Sequence, residues 1–416
     1  MEDDLAAENQ GGAAEKWLTA EEVAGRLNIK RETVYAYVSR GRLASRRSDD
    51  GRGSVFDPLD VERLAARVRR SGKPGPGTPE SAITLIQDGR LSYRGIDARR
   101  LAAERSFEDT AELLWGADRN RGHDWEAGPD ADLVRESVGG LLPLAPLPID
   151  QLRIIASLIG AIEPPGAEGS ADVVAASARR MLMTMIAALP QHSKPVAWTD
   201  DAGAGKLVPF LWSRLCARAP SVSELRALST AMVVGADHDL ASATMVVRTA
   251  ARAGVDPGGI IRLGLDVGSG PVKGAAGFAI ETFLRDVAKP SNVESALVRR
   301  LRQGEPVPGF GHVMYPDGDP RAAELLDRLR EADVDPERLA TVEEVIARQM
   351  RRGLPPPNAG FSLSALSYAT DMIPGAGEVI FVLSRTAGWI AHAIEEYGSD
   401  PLPRLNSVYV GQRPAA

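Results

Sequence analysis

Gly235-Ala-Asp-His-Asp-Leu240 opens the stretch that decides the fold, and Gly270-Pro-Val-Lys-Gly-Ala-Ala-Gly277 closes it. An alanine-rich pattern typical of a helix lies between the two strings. His238 follows the end of one predicted helix, and the small-residue turn around Lys273 precedes another. The first N–H groups of a helix have no intrahelical partner and attract anions. We therefore predict an anion-binding pocket here, which the downstream residues complete.

The composition predicts a soluble chain with more than one structural unit. It has 416 residues, and its 44% apolar content is enough for a large core. No stretch approaches the ~20 uninterrupted apolar residues of a membrane span, and the acidic beginning does not resemble a signal peptide. We expect a cytoplasmic protein without a membrane partner. The single cysteine, Cys216, cannot form an internal disulfide or a thiolate metal cluster, and we interpret it as an apolar filler.

Charge is distributed unevenly along the chain. Residues 1–15 hold five acids and no base, whereas residues 16–76 hold fourteen bases and eight acids. Because the whole chain carries a net charge of −7, residues 77–416 carry −8. A basic segment therefore precedes an acidic body and is the candidate for binding a polyanion. The acidic tail 1–15 has too little apolar surface to fold, and we expect it to be disordered.

Residues 16–70 have the pattern of a small helix-turn-helix domain with a wing. Thr19 and Glu22 form a predicted capping box at the start of the first helix. A second helix, with apolar residues at helical spacing, ends at Gly41. The string Asp49-Asp-Gly-Arg-Gly53 is a predicted hairpin tip between short extended segments, and a third helix follows.

This module resembles the winged helix-turn-helix domains of the MerR and excisionase type over its whole length. The resemblance implies that the second helix enters the major groove of duplex DNA and that the wing contacts the phosphate backbone. The residues expected to face the groove are Arg31, Thr33 and Tyr35, and those expected to meet phosphates are Lys30, Arg40, Arg46, Arg47 and Arg52. A helix-turn-helix can also serve in dimerisation or protein contact, and that alternative stays open.

A linker rich in proline and glycine, residues 71–79, separates this module from the body. Residues 83–91 alternate as in a short hairpin, and most of the remaining sequence has helical periodicity. The longest helical patterns cover residues 147–163, 170–189, 221–234, 239–253, 271–288, 291–303, 320–331, 337–352 and 376–397. There is no alternation of strands with helices, so the predicted fold class is all-α.

Five short strings follow the order found in one enzyme family. They are Tyr93-Arg-Gly95, Ala236-Asp-His-Asp239, Gly270-Pro-Val-Lys-Gly274, Pro308-Gly-Phe-Gly-His312 with Asp319-Pro-Arg321, and Ser384-Arg-Thr-Ala-Gly-Trp389. Together they resemble citrate synthase over residues 79–411. The resemblance implies a helical homodimer whose large and small domains lie within residues 80–416, the small domain roughly at 255–370. It also implies an acyltransferase of tricarboxylic acid metabolism that binds oxaloacetate. Acetyl-CoA, or another acyl-CoA, is the implied co-substrate, with no permanently bound cofactor and no metal.

The resemblance also implies which side chains bind the substrate. His238 and His312 match the family's oxaloacetate-binding histidines, and His312 is also a candidate catalytic residue. Arg321 and Arg385 match its carboxylate-binding arginines, and Arg404 matches the arginine that reaches across the dimer. A dicarboxylate needs planar donors that cannot lose their charge, which agrees with arginine at these positions. We give no ligand role to His123, His192, His392 or Glu395.

Both catalytic positions depart from the family pattern. Lys273 stands where the family has the histidine that polarises the thioester carbonyl, and Gly360 stands where it has the aspartate that removes the methyl proton. Asn406 also replaces a basic residue. Loss of a general base typically costs about 10²–10⁴-fold in rate, and loss of the carbonyl donor adds roughly 3–4 kcal/mol. We expect Lys273 to be an ammonium that neutralises an anion, because only a strongly lowered pKa would let it form an imine.

Two functions remain open at this point. In the first, the dimer binds a di- or tricarboxylate, or an acyl-CoA, and its closure moves two DNA-binding modules relative to each other. In the second, the chain is a condensing enzyme that makes citrate or 2-methylcitrate, and another group replaces the missing base. A retained anion site combined with altered Lys273 and Gly360 favours the first.

Overall fold

The structure, a computed structural model, describes residues 17–27, 29–48, 53–58, 60–61, 64, 79–116, 125–141, 147–162, 170–198, 205–269, 274–305, 307–400 and 410–411. Within these ranges it contains seventeen α-helices and six short strands. The prediction of an all-α fold is confirmed. No helix in the same ranges is both long and apolar enough to cross a bilayer.

Among its described residues, the N-terminal module contains two complete helices and a small antiparallel sheet in order β1-β3-β2. Its elements are β1 (Leu18–Thr19), α1 (Ala20–Leu27), α2 (Arg31–Ser39), β2 (Arg46–Arg47) and β3 (Ser54–Phe56). The predicted capping box is present, since the N–H of Thr19 donates to the Glu22 carboxylate at 2.7 Å and the N–H of Glu22 donates to Thr19 Oγ1 at 3.3 Å. Strands β2 and β3 pair as the two sides of the predicted wing.

A hydrophobic core of its own holds the module together. Val23 and Leu27 of α1, Val34 of α2 and Phe56 of β3 are all buried in it. The apolar residues at helical spacing on α2, Val34, Tyr37 and Val38, therefore form the face that packs. The opposite face of α2 is left exposed to solvent.

The body begins with a three-stranded antiparallel sheet, β4 (Thr84–Gln87), β5 (Arg90–Tyr93) and β6 (Ile96–Asp97). The hairpin predicted over residues 83–91 is confirmed, and it extends further than expected. Tyr93, at the end of β5, is fully buried, and its hydroxyl lies 2.9 Å from the carbonyl O of Val234 and 3.0 Å from that of Asp237. The sheet thus anchors the turn that contains Asp237 and His238.

Helices form the rest of the body. They are α3 (Ala98–Glu104), α4 (Phe107–Trp115), α5 (Ala131–Gly139), α6 (Pro148–Ile162), α7 (Ala171–Ala188), α8 (Leu207–Leu215), α9 (Val222–Gly235), α10 (Ser242–Arg252), α11 (Pro257–Gly268), α12 (Gly274–Val287), α13 (Val293–Arg302), α14 (Pro320–Glu331), α15 (Pro336–Arg351), α16 (Ala359–Ala369) and α17 (Ala376–Glu396). Each of the long helical patterns corresponds to one of these helices, with ends that differ by at most three residues.

Two helices next to the site, α11 and α16, were not among the predicted patterns. Helix α11 contains four glycines, which lower intrinsic helix propensity by roughly 1 kcal/mol each relative to alanine. Helix α16 is buried on nearly all sides, so it has no polar face and no amphipathic period. Tertiary packing stabilises both helices, and this packing cannot be inferred from the local sequence pattern.

Helix α17 is the centre of the body. It packs against α9, α10, α11 and α16, and almost all of its residues are buried. Trp389 is 0% exposed, and its ring packs against Gly264 of α11. Because other helices surround α17 in this way, they hold its side chains in fixed positions.

Candidate functional site

A cavity of about 350 Å³ lies beside α17. The turn after α9, the loop before α14, the first turns of α16 and one face of α17 all contribute to its wall. It brings together four side chains that the sequence predicts to bind substrate: His238, His312, Arg321 and Arg385. Gly360, one of the two altered catalytic positions, lines the same cavity.

The turn after α9 reaches this wall because it packs directly on the α17 backbone. The N–H of Gly388 donates to the carbonyl O of Ala236 at 3.0 Å. A Cβ atom at Gly388 would lie 2.7 Å from that oxygen and would also overlap Asp237. Glycine is therefore required at position 388, and the close approach places Asp237 and His238 beside Arg385.

Asp237 lies fully buried under this turn. Its Oδ2 accepts hydrogen bonds from Thr84 Oγ1 at 2.5 Å and from the N–H of Asp239 at 3.0 Å, and lies 3.3 Å from Nε2 of His392. Burial alone would raise the pKa of this carboxyl, but His392, Arg385 and Thr84 together hold it below its ordinary value. Asp237 is thus a fixed negative charge at the base of the site.

Arg385 is the cation that faces this charge. It is 4% exposed, and its Nη1 lies 3.9 Å from Oδ1 of Asp237, longer than a hydrogen bond. Burial lowers the pKa of Arg385, although Asp237 opposes the change, and a guanidinium keeps its charge in proteins. Within the described residues, the buried Nη1 has no hydrogen-bond partner.

Two histidines and a tyrosine form a second group at the cavity. The rings of His238 and His312 meet edge to face with their centroids 5.1 Å apart, and the Tyr315 hydroxyl lies 3.1 Å from Nε2 of His238. The N–H of Met314 donates to Nδ1 of His312 at 3.1 Å. A neutral His312 therefore carries its proton on Nε2 and can donate from that atom.

Arg321 is held by Asp319, the residue that caps α14. Its Nε and Nη2 donate to the two carboxylate oxygens of Asp319 at 3.0 and 2.8 Å. Burial alone would lower the pKa of Arg321, but the contact with Asp319 raises it above its ordinary value. Asp319 also accepts the N–H of Ala359 at 3.0 Å, which ties the guanidinium to the start of α16. The pair does not use Nη1, so Arg321 keeps a donor for a ligand.

Three residues of the cavity wall each carry a buried polar atom that has no hydrogen-bond partner among the described residues: Arg385 Nη1, Thr244 Oγ1 and Trp389 Nε1. Native proteins satisfy the great majority of their buried polar groups, and each exception costs about 1–3 kcal/mol. Residues of the cavity wall thus carry hydrogen-bond donors that no described residue engages.

The sequence and the fold agree with one family. A family model of the citrate synthase C-terminal domain matches residues 75–406, and a model of a helix-turn-helix domain matches residues 17–69. The chain belongs to the citrate synthase family. Both predicted resemblances are confirmed.

Relatives match this chain over nearly their whole length. Citrate synthase 2 of Bacillus subtilis is 25% identical over 365 residues, which cover 82% of this chain and 95% of the relative. A 2-methylcitrate synthase of Mycobacterium tuberculosis is 27% identical over 396 residues, which cover 89% of this chain and 97% of the relative.

Solved citrate synthases have the same fold. The enzyme from Thermotoga maritima has a TM-score of 0.64 at 22% identity, covering 83% of this chain and 97% of that chain. The enzyme from Thermoplasma acidophilum, solved as a ternary complex with carboxymethyl coenzyme A and oxaloacetate, has a TM-score of 0.63 at 20% identity, covering 82% of this chain and 96% of that chain. At these identities the likeness shows the fold alone.

Position 360 of the citrate synthase body has room for a side chain. Asn358 caps α16, because its Oδ1 accepts the N–H of Phe361 at 3.2 Å, and its Nδ2 donates to the carbonyl O of Gly311 at 3.0 Å. Among the described residues, a Cβ atom at Gly360 would meet Asn358 Oδ1 at 3.2 Å and Ile280 Cδ1 at 3.9 Å. Packing therefore does not demand glycine here, and its presence removes a possible functional group from the cavity.

The remaining predicted residues fall either outside the described part of the chain or away from the cavity wall. Those outside the described residues are Arg52, His123, Lys273, Arg404 and Asn406, together with the tail 1–15 and residues 71–78 of the linker. Cys216 is buried, its Sγ lies 3.6 Å from the carbonyl O of Thr370, and burial raises the pKa of its thiol. His392 is buried between Asp237 and Arg248 and is not part of the cavity wall.

The N-terminal module presents a basic surface on α2 and β2. The exposed members of the predicted DNA-binding set are Lys30, Arg31, Tyr35, Arg40, Arg46 and Arg47, and Thr33 is half-buried. A side-chain hydrogen bond to Tyr35 is the main cause that raises the pKa of Arg31. The Arg46 guanidinium lies 4.5 Å from the centre of the Trp17 ring. Arg31 and Tyr35 are one helical turn apart and form a single exposed patch.

Sequence reasoning missed several residues of the site. Asp319 had a signal, because an aspartate before proline at a helix start is a typical N-cap. Glu378 also had one, since Glu378, Phe381 and Arg385 are spaced to share one face of α17. Tyr315 had none, because its position depends on the loop fold. Within the described ranges, no group of three or more His, Cys, Asp or Glu is placed to hold a metal ion.

Proposed function

We propose that this protein is a carboxylate-responsive DNA-binding protein. Its citrate synthase body binds a di- or tricarboxylate, and its N-terminal module binds duplex DNA. The observation that carries the first half is the set of buried donors without partners on one cavity wall: Arg385 Nη1, Thr244 Oγ1 and Trp389 Nε1. A ligand with several carboxylate oxygens supplies the acceptors that these atoms lack.

Oxaloacetate and citrate are the ligands of the expected class. Arg321 and Arg385 are buried cations, and His238 and His312 add ring nitrogens on the same cavity. A volume of about 350 Å³ lies at the small end of the range for ligand sites, which suits a compact polycarboxylate. The Thermoplasma relative with oxaloacetate and carboxymethyl coenzyme A supports this ligand class, and an acyl-CoA as the second ligand.

Binding without efficient condensation is supported by the altered positions. Gly360 has no side chain that could remove a proton, and Lys273 replaces the family's carbonyl-polarising histidine. Loss of a general base typically lowers a rate by about 10²–10⁴-fold. We therefore expect condensation of oxaloacetate with acetyl-CoA to be at least about 100-fold slower than in a relative that keeps both residues.

The basic surface of the module supports the DNA-binding half. Lys30, Arg31, Arg40 and Arg47 are exposed on or next to the second helix and the wing. We expect the body to be a homodimer, so that two modules share one two-fold axis and prefer a palindromic site. A linker rich in proline and glycine lets the spacing of the half-sites vary unless the modules also pair.

A gel-shift experiment tests the proposal as a whole. Full-length protein is mixed at low salt with a pool of random duplexes, with and without millimolar oxaloacetate or citrate. We expect a shifted species whose amount changes several-fold with the carboxylate, because closure of the body moves the modules. No shift at low salt in either condition would make the module a protein-contact or dimerisation element and would end the DNA-binding proposal.

A second candidate function is a condensing enzyme, citrate or 2-methylcitrate synthase, in which another group acts as base. One observation favours it, namely that the carboxyl group of Glu378 lines the same cavity as Gly360. Release of free CoA from acetyl-CoA or propionyl-CoA in the presence of oxaloacetate measures this activity. Turnover comparable to that of relatives would favour the enzyme. A rise in turnover on changing Lys273→His together with Gly360→Asp would instead indicate a degenerate synthase.

A further inference from the structure

Glu378 lies in the first turn of α17 and lines the cavity together with Gly360. It precedes Arg385 by seven residues, so the two side chains project from the same face of the helix, two turns and about 10.5 Å apart. Phe381 lies between them on that face and also lines the cavity. The cavity therefore extends along α17 from Arg385 to Glu378.

The start of α17 is held in place from two sides. The N–H of Gly375 lies 3.2 Å from both carboxylate oxygens of Glu281 on α12. On the other side, a Cβ atom at Gly377 would lie 3.2 Å from the carbonyl O of Leu363, so the backbones of α16 and α17 are in close contact. These contacts keep the first turn of α17 beside the cavity rather than in solvent.

The carboxyl group of Glu378 has no hydrogen bond or ion pair with any described residue. The charged groups that face it are Arg153 and Asp150 of α6 and Glu281 of α12, and Arg153 is engaged by Asp150 at 2.6 Å and by Ser269. Burial raises the pKa of Glu378 to about 7; Arg153 opposes this change, and Asp150 and Glu281 add to it. About half of the group is ionised at neutral pH, as a proton acceptor requires.

From this placement, and resting on the proposed binding of a dicarboxylate and an acyl-CoA in the cavity, we infer that Glu378 performs the proton transfer for which Gly360 has no side chain. The carboxylate of Glu378 accepts a proton from the carbon next to the thioester carbonyl. The C–H bond breaks and its electron pair forms a carbon–carbon double bond, while the π pair of the carbonyl moves to the carbonyl oxygen and the proton stays on a carboxyl oxygen of Glu378. An enolate and a neutral carboxylic acid result, and the step needs no oxidant or co-reactant.

Hydrogen exchange measures this step separately from condensation. Full-length protein is incubated in D₂O with acetyl-CoA and malate, and deuterium in the acetyl methyl group is followed by mass spectrometry. Malate has a hydroxyl in place of the keto group of oxaloacetate, so an enolate finds no carbonyl to attack. We expect exchange above the protein-free rate, and exchange at least about 100-fold slower in Glu378→Gln. Glu331→Gln, which changes an exposed glutamate outside the cavity, is the matched control and keeps the wild-type rate.

A thermal melt with and without malate separates the two hypotheses. Wild-type protein that is stabilised by malate but exchanges no deuterium would refute the role of Glu378 and leave the binding proposal intact. Wild-type protein with neither stabilisation nor exchange would refute both. Exchange at the wild-type rate in Glu378→Gln would show that another group accepts the proton.

A second variant keeps the test decisive if Glu378→Gln does not fold. Glu378→Asp retains the carboxyl group on a side chain one methylene shorter, and we expect exchange within about tenfold of the wild-type rate. A folded Glu378→Asp protein that binds malate, yet exchanges no faster than solution without protein, would overturn the inference. A merely structural role of Glu378 would change the melting temperature of both variants without changing exchange per bound ligand.

Discussion

Arg385→Gln tests the anion site most directly, because the guanidinium is buried and its Nη1 has no hydrogen-bond partner among the described residues. A carboxylate ligand at about 100 times its Kd stabilises the native state by about 2.7 kcal/mol. With an unfolding entropy of roughly 2.1 cal/mol/K per residue, over the ~330 residues of the body, this corresponds to a rise in Tm of about 4 °C. We expect that rise for wild-type protein with oxaloacetate or citrate.

Glutamine at position 385 keeps a polar side chain but loses the charge. Two charge-assisted hydrogen bonds to a carboxylate are worth at least about 3 kcal/mol together, so Kd rises by roughly 150-fold. At the same ligand concentration the Tm rise then falls below about 0.5 °C. The ligand-free Tm also falls, because Asp237 loses its cationic neighbour. Asp237 nevertheless keeps its contacts with Thr84, Asp239 and His392, so the variant is expected to fold.

Arg214→Gln is the matched control. Arg214 is a second buried arginine whose pKa burial lowers, and its Nε also has no hydrogen-bond partner among the described residues, but it does not line the cavity. This variant should keep the full rise of about 4 °C. Differential scanning calorimetry of the three proteins, each with and without ligand, measures the effect. An equal rise in Arg385→Gln and wild type, or no rise in wild type with millimolar oxaloacetate and citrate, would refute the assignment.

Three further predictions follow from the same contacts. Gly388→Ala forces a Cβ atom into the backbone of Ala236, so it should destabilise the protein by about 1–3 kcal/mol in urea unfolding and abolish the carboxylate-induced Tm rise. Because the pKa of Glu378 is raised in the folded state, its protonated form contributes to folding stability. This contribution is complete below the ordinary pKa of 4.5 and is lost as the pH rises through about 7. Glu378→Gln should therefore gain Tm relative to wild type across that interval, and a constant difference would contradict the shift. Arg47→Ala should weaken DNA binding and flatten its salt dependence by about one counterion in a fluorescence titration, whereas an unchanged slope would remove that residue from the interface.

The sequence predicted the fold better than it predicted the complete site. Helical periodicity identified the amphipathic helices, and short strings identified His238, His312, Arg321 and Arg385, because these residues lie in turns and helix starts with recognisable glycine and proline spacing. It did not predict α16, whose buried faces leave no period. Nor did it predict that Asp319 would hold Arg321, or that Glu378 would share the cavity with Gly360, because such contacts join segments far apart in the chain.

The structure also explains why the two halves of the site can change independently. The half proposed to bind the anion is continuous with the core, since Gly388 packs on Ala236, and Asp237 is hydrogen-bonded to the sheet through Thr84 and faces Arg385. A substitution in this half therefore costs folding stability as well as binding. Position 360 has few neighbours among the described residues, so a side chain can be lost or gained there with little effect on their packing. A retained anion site is consequently expected in a folded member of this family whether or not it condenses its ligands, and the proton-transfer group must be established by its own measurement.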